Sequence, residues 1–429
     1  MINLYMRVQC CIFVVRKIKP MIQDIRIDSY DYPLPEDRIA RYPLAQRDDS
    51  KLLVYTESSG RVPENRKFRD LADYLPENSM VVFNETKVVP TRLFFRKETG
   101  ATIEIFCLEP DSPADYQQCF ATTETCVWQA IIGNAKRWKD GALRLCFDEN
   151  HPESQLLAEM DLRAELLERG DTSRVAFSWK GGYAFSQVLG LAGRVPIPPY
   201  LKREAEPVDR ERYQTWYARR EGSVAAPTAG LHFTDRELDA LDKKGITRCH
   251  LCLHVGAGTF LPVKSETIGG HVMHSEPFSV SRAFLKLLAG KGQRPLTAVG
   301  TTSARCLESL YYLGVHCIEQ GEPGVVEQWE PYRDRGYDYS LSEAVEALVS
   351  YMDRLGIQEL VSRTRIIIVP GFRFRTVDFL VTNFHQPKST LLLLISAFIG
   401  DAWRGVYDFA LENGFRFLSY GDSSLLQKV

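Results

Sequence analysis

The chain has 429 residues, 45% of them apolar and 25% charged, and 53 Lys and Arg against 55 Asp and Glu leave a formal net charge of −2. This length supports two or three domains around a large core. The charge balance excludes a polycation that holds nucleic acid by bulk electrostatics, so such a contact has to come from local patches.

Residues 1–20 contain one apolar run, Val8 to Val15, interrupted by Gln9 and flanked by Arg7 and Arg16-Lys17. It is too short to span a bilayer, and no small-residue cleavage site follows. A start-site artefact or a loose extension is expected there, with Met21 opening the protein proper, and no membrane partner is expected. Ten cysteines without the regular spacing of a small secreted scaffold point to reduced thiols in a cytoplasm.

Pro33 and Pro35 set up a turn, Glu36 to Ala40 begins a short helix, and Lys51 to Tyr55 reads as a strand. Phe68 to Leu75 has helical apolar spacing. Met80 to Phe83 reads as a buried strand that runs into Asn84-Glu85-Thr86-Lys87, a polar junction expected to line a cleft. From about Thr91 to Phe147 the pattern changes to short alternating runs, Thr102 to Leu108, Val127 to Ile132 and Leu143 to Phe147, separated by turn signals such as Gly133-Asn134 and Asp140-Gly141. The fold class expected is therefore α/β: a sandwich-type main domain of residues 21–90 and 153–429, with a smaller β-barrel domain, 91–152, inserted in it. Lys136, Arg137 and Lys139 beside Trp128 and Trp138 suit either a phosphate backbone with a stacked base or a solvated hairpin with its tryptophans in the core.

Glu153 to Glu168 reads as an acidic helix, and Gly193 to Tyr200 as an extended Pro-rich connector. In S-V-A-A-P-T-A-G-L-H-F-T (Ser223–Thr234), small residues allow close backbone approach while Thr228 and His232 supply polar tips around Gly230. Glu237 stands three places after Thr234, as a capping box requires. Cys249 to Phe260 looks like a strand entering a glycine turn, which puts His254, Gly256, Gly258 and Thr259 at a strand end. Cys249 and Cys252 form a C-x-x-C, but no second pair completes a zinc site, and in a strand the two thiols face opposite sides. His271, His274 and Glu276 fall within six residues, a spacing open to proton transfer, metal binding or scaffold hydrogen bonds.

Leu296 to Val299 reads as a strand, followed by a polar turn with Thr301 and Thr302 and a helix carrying Arg305. Ser342 to Leu355 reads as an amphipathic helix and Arg365 to Val369 as a buried strand. Phe379 to Thr382 is a further buried strand. It ends in a polar cluster of Asn383, His385, Lys388, Ser389 and Thr390, before the apolar run Leu391 to Phe398 resumes as a helix. A strand that ends in such a cluster and feeds a helix places it at the carboxyl edge of a sheet, where open α/β folds bind ligands. With Pro387 at the helix entrance, the amides of Lys388, Ser389 and Thr390 beside the ammonium are expected to form an anion site. Several junctions of one kind favour a single substrate cleft.

These motifs, with F-N-E-T-K-V-V-P-T-R-L (Phe83–Leu93), R-Y-Q-T-W-Y-A (Arg212–Ala218), A-V-G-T-T-S-A-R-C-L-E-S, T-N-F-H-Q-P-K-S-T-L-L and F-L-S-Y-G-D (Phe417–Asp422), run in order from about Tyr30 to Leu426. The sequence thereby resembles the S-adenosylmethionine:tRNA ribosyltransferase-isomerase family of queuosine biosynthesis. The resemblance implies transfer and isomerisation of the ribosyl part of S-adenosylmethionine onto 7-aminomethyl-7-deazaguanine in tRNA, giving epoxyqueuosine-tRNA, adenine and methionine. It implies S-adenosylmethionine as substrate rather than cofactor, no metal, a tRNA anticodon arm as partner, and a cytoplasmic enzyme, expected to be a monomer. His232, His385 and Lys388 are the catalytic candidates. Asn84, Lys87, Thr228, Gly230, His254, Gly256, Gly258, Thr259, His271, His274, Glu276, Thr301, Thr302, Arg305, Asn383, Ser389 and Thr390 are the substrate-binding candidates.

The sequence departs from the family pattern at Leu261 and Gln386, in the longer segment Val325 to Leu360, and in residues 1–20. Two other readings compete: a metal-dependent hydrolase built on His254, His271, His274 and Glu276, and a non-catalytic tRNA-binding module.

Overall fold

The computed structural model of the chain describes residues 22–97, 99–148, 150, 152–256, 263, 265–333 and 338–429. A nine-stranded mixed sheet forms its spine. From one edge to the other the strands are Glu359–Thr364, Glu276–Ser281, Thr247–Leu253, Met80–Asn84, Leu296–Val299, Phe379–Asn383, Ser423–Gln427, Lys51–Tyr55 and Glu64–Lys67. The four from Thr247–Leu253 to Phe379–Asn383 are mutually parallel, so their carboxyl ends share one edge. Glu276–Ser281 runs antiparallel to its neighbour and starts at that same edge.

Period-two patterning explains why the sheet is covered on both faces. Leu53, Met80, Val82, Leu296, Ala298 and Leu380 pack on one side with the helices Arg282–Ala289, Thr301–Gln320, Leu341–Leu355, Thr390–Ile399 and Trp403–Glu412. Their strand neighbours Leu52, Val54, Val81, Phe83, Val299 and Val381 pack on the other with Leu71–Tyr74 and Asp235–Lys243. The apolar run ending at Ile399 is thus a core helix of a layered α/β domain. Thr234 and Glu237 form the anticipated capping box at the start of Asp235–Lys243.

The chain leaves the sheet through Thr86–Val88 and returns through Arg220–Ser223, and these two short strands pair in parallel. Between them lies a closed six-stranded antiparallel barrel of Arg92–Arg96, Thr102–Ser112, Thr125–Gly133, Leu143–Leu145, Arg163–Glu168 and Ser173–Ser178. The inserted barrel was expected; its end at 152 was not far enough along. The segment expected to be one acidic helix, Glu153 to Glu168, is helical only over Ser154–Met160. Asp161 then turns in a left-handed conformation, and Arg163–Glu168 closes the barrel, with Ala164 buried against its core. Charge on alternate residues suits a strand with one solvated face as well as it suits a helix, and closure of the barrel decides between them. Trp128 and Trp138 are fully buried in that core, so neither stacks a base.

A second correction concerns Arg365 to Val369. The ladder occupies Glu359–Thr364 instead, while Ile366 to Val369 is buried in irregular backbone beyond it.

Candidate active site

The carboxyl edge of the four parallel strands faces the barrel across a cavity of about 1020 Å³. Its wall on the sheet side contains His254 and Gly256 after one strand, His271 and His274 before another with Glu276 as that strand's first residue, and Thr302 and Arg305 at the start of a helix, with Thr390 nearby. Phe106, Gln129 and Ile131 of the barrel form the facing wall, and Pro196 to Pro199 of the extended connector close one side. A smaller cavity of about 90 Å³ adjoins it, sharing Thr302 and Leu391, and is lined by Thr228, Thr301, Asn383, His385 and Ser389. Gly258 and Thr259, together with Leu261, lie outside the described residues.

Three groups of side chains gather at or beside these cavities. At the floor of the large cavity Arg305 donates through Nη1 to Glu276 and through Nε to the Ile366 carbonyl at 3.1 Å. Both residues are buried, at 6% and 4% exposure. Against the barrel, His254 stacks on Tyr116 with ring centroids 4.2 Å apart and planes 11° from parallel. Burial lowers the His254 pKa to about 4, so the ring is neutral at physiological pH. Gly222, at φ 140°, backs this stack; a Cβ there would stand 2.5 Å from Cε1 and Nδ1 of His254. At the small cavity, Asn383 accepts from Thr228 Oγ1 at 2.8 Å and places its amide 3.3 Å from Nε2 of His232. His385 Nε2 lies 3.0 Å from Thr382 Oγ1, and its backbone amide donates to Tyr407 Oη at 3.1 Å. Burial lowers the pKa of both His232 and His385 to about 3, which keeps both imidazoles neutral.

Other expected residues stand elsewhere. His232 lines neither cavity; it is packed against Phe68 behind Asn383. Asn84 is fully buried and spends its amide on the next strand, donating to the Leu253 carbonyl at 2.9 Å and accepting from the Leu253 amide at 3.0 Å. Lys87 is exposed in an ion pair with Glu221 at 3.2 Å. Gly230 permits close packing, since a Cβ there would come 1.9 Å from Tyr217 Oη.

Lys388 also departs from expectation. Its backbone amide donates to the Tyr30 carbonyl at 2.9 Å, and its ammonium pairs with Asp28 and Asp31 at 3.0 and 3.1 Å. Ser389 caps the following helix by accepting from the Leu392 amide at 3.2 Å. The anion site anticipated there is therefore a fastening for the segment Asp28 to Tyr32, whose Tyr32 hydroxyl also donates to the His385 carbonyl. The ionic partners lie about 360 residues away along the chain, and no local pattern announces them.

The barrel's contribution had no sequence signal either. Tyr116 begins a short helix, Tyr116–Ala121, and reads locally as an ordinary apolar position. Arg363, from an edge strand of the sheet, reaches Glu109 of the barrel at 3.0 Å. Among the described residues no three His, Cys, Asp or Glu side chains gather as a metal ion requires, which leaves the hydrolase reading without a ligand set.

Comparison with known proteins agrees with this arrangement of motifs. The family model described as "Queuosine biosynthesis protein" matches residues 27–426. Proteins from Brucella ovis and Brucella melitensis, each named S-adenosylmethionine:tRNA ribosyltransferase-isomerase, are 38% identical over 415 residues, covering 94% of this chain and 98% of theirs. A crystal structure of an S-adenosylmethionine tRNA ribosyltransferase from Thermotoga maritima aligns at 27% identity and a TM-score of 0.43, over 92% of this chain and 99% of that one. The chain belongs to the queuosine biosynthesis protein family.

Proposed function

We propose that this protein is an S-adenosylmethionine:tRNA ribosyltransferase-isomerase. In this reading it transfers and isomerises the ribosyl moiety of S-adenosylmethionine onto 7-aminomethyl-7-deazaguanine in the anticodon arm of a tRNA, and releases adenine and methionine. The name shared by relatives at 38% identity over nearly the whole chain supports the reaction class. The observation that carries the reading to this molecule is the cavity of about 1020 Å³ between sheet edge and barrel. It lies at the upper end of small-molecule sites and offers room for a nucleoside and an extruded base together.

The chemistry needs a base beside the sulfonium, a route for the departing adenine, and an uncharged amine as nucleophile. His385 is the candidate base: it is neutral, held through its backbone by Tyr407 and Tyr32, and its imidazole is oriented by Thr382. Asn383 and Thr228 orient the nucleoside, and His232 acts through Asn383 as a positioning residue. Lys388 fastens the His385 loop to the N-terminal segment. S-adenosylmethionine is consumed as a substrate and the reaction calls for no further cofactor. A monomeric, cytoplasmic enzyme completes the proposal.

Incubation with S-adenosylmethionine and tRNA bearing the aminomethyl precursor, followed by nucleoside mass analysis, tests it. Adenine and the epoxide-bearing nucleoside are expected to appear together. Absence of both from folded, tRNA-binding protein would reject the reading in favour of a binding module.

A further inference from the structure

One corner of the large cavity holds a donor that the fold leaves unused. Arg305 sits one turn into the helix Thr301–Gln320 and is 6% exposed. Nη1 donates to Glu276 and Nε to Ile366, but Nη2 has no hydrogen-bond partner among the described residues. Buried guanidinium donors are ordinarily satisfied, and a leftover one beside a cavity marks a place for an acceptor that arrives with a ligand.

The helix start beside it favours the same charge. Gly300 takes the N-cap position without a side-chain cap, and the amide of Ala304 is the one that bonds back to the Gly300 carbonyl. The preceding amides of the first turn have no intrahelical acceptor, and the positive end of the helix dipole lies there. Thr302, in that turn, lines both cavities. The wall beyond Arg305 is aliphatic, with Ile367, Ile368, Leu391 and Leu394. A cationic fork at the end of an aliphatic wall fits a short hydrocarbon chain that terminates in a carboxylate.

Resting on the reaction assigned under Proposed function, we propose that Arg305 binds the α-carboxylate of the methionyl arm of S-adenosylmethionine. Nη2 and the helix start at Thr302 receive the carboxylate, and the aliphatic wall packs the arm's methylenes. Glu276 is a positioning residue that holds the guanidinium in register through Nη1. A backbone phosphate of tRNA carries the same charge, but it is flanked by sugars on both sides. A donor this deeply buried is reached by the free end of a small molecule.

The test compares S-adenosylmethionine with its decarboxylated analogue, which keeps the sulfonium, ribose and adenine, in precursor tRNA turnover followed by adenine release. The wild-type enzyme is expected to prefer the carboxylated compound by about 10- to 100-fold in kcat/KM, the range for a lost hydrogen bond between charged groups. Arg305→Gln is expected to erase that preference by raising KM for S-adenosylmethionine alone. Since removing one partner of a buried ion pair is itself destabilising, the double variant Glu276→Gln/Arg305→Gln is measured alongside and is expected to show the same loss of preference in a folded protein. Equal use of both compounds by the wild-type enzyme, with adenine still released, would overturn the carboxylate site and leave the reaction standing. A preference that survives in the folded double variant would overturn the assignment to Arg305. No adenine from either compound would reject the reaction itself and the site with it.

Discussion

Two cations stand at the same edge of the sheet, each beside carboxylates, and they differ in everything that matters for ligand binding. Arg305 is buried with Glu276 at the wall of a cavity and keeps one donor unused among the described residues. The Lys388 side chain is 40% exposed, and its ammonium is shared between Asp28 and Asp31 at the surface. Residue type and edge position are alike; burial and the leftover hydrogen-bonding valence separate a recognition group from a fastening. The contrast also orders the histidines. His385 and His254 line cavities as neutral rings, whereas His232 is enclosed behind Asn383.

The largest expected effect comes from breaking the buried pair. Arg305→Ala removes the buried guanidinium from Glu276 and is expected to cost about 3–5 kcal/mol of stability in denaturant titration. A loss under about 1 kcal/mol, the range of an exposed pair, would place Arg305 in the same class as Lys388.

Next in size is Gly222→Ala, which pushes a methyl group into the His254 and Tyr116 rings from a backbone conformation that disfavours any side chain. Turnover is expected to fall by about 10- to 100-fold, as misplacing a site group does, while the protein stays folded. Unchanged turnover would remove His254 from the site.

His232→Asn sharpens the contrast through pH. The folded pKa of His232, about 3, lies below the ordinary value of 6.5, so between those limits the unfolded chain binds the extra proton. The stability due to neutral burial is complete above about pH 6.5 and is lost as pH falls toward 3, with a slope of about 1.4 kcal/mol per pH unit. The substitution is expected to remove that slope from the acid-unfolding profile; an unaltered profile would show that the ring titrates freely. His316 has the opposite sign: its bond to Glu330 at 2.6 Å raises its pKa, so that contribution is present below about pH 6.5 and is lost as pH rises through the raised value.

The smallest effect is expected for Lys388→Ala. Exposed ion pairs contribute little, so adenine release should stay within about twofold of wild type. A severe loss with an intact fold would return Lys388 to the catalytic group.

The parallel core of the sheet was legible in sequence because its strands are short, β-branched runs that end in polar clusters, as at Phe379–Asn383 and Leu296–Val299. A barrel was legible from alternating runs and turn signals, but its last two strands were not, since the charges of Arg163–Glu168 satisfy a helical and an extended pattern alike. In the site, strand-end residues such as His254, Thr302 and His385 were readable from position alone. What each one touches was not. The fate of Asn84 depends on Leu253, that of Lys388 on Asp28 and Asp31, and that of His254 on Tyr116, all partners set by tertiary packing over long separations. The Pro-rich connector was recognised as extended, yet only the placement of the barrel makes Pro196 to Pro199 a wall of the cavity.

The central claim, that the cavity between barrel and sheet edge receives S-adenosylmethionine, is tested most directly by amide hydrogen exchange with and without that compound in the presence of precursor tRNA. The account predicts slowed exchange at Met273 to Glu276 and at Thr301 to Arg305, with little change at Asp28 to Tyr32. Protection confined to the Asp28 to Tyr32 segment at saturating S-adenosylmethionine, with none at Thr301 to Arg305, would contradict it.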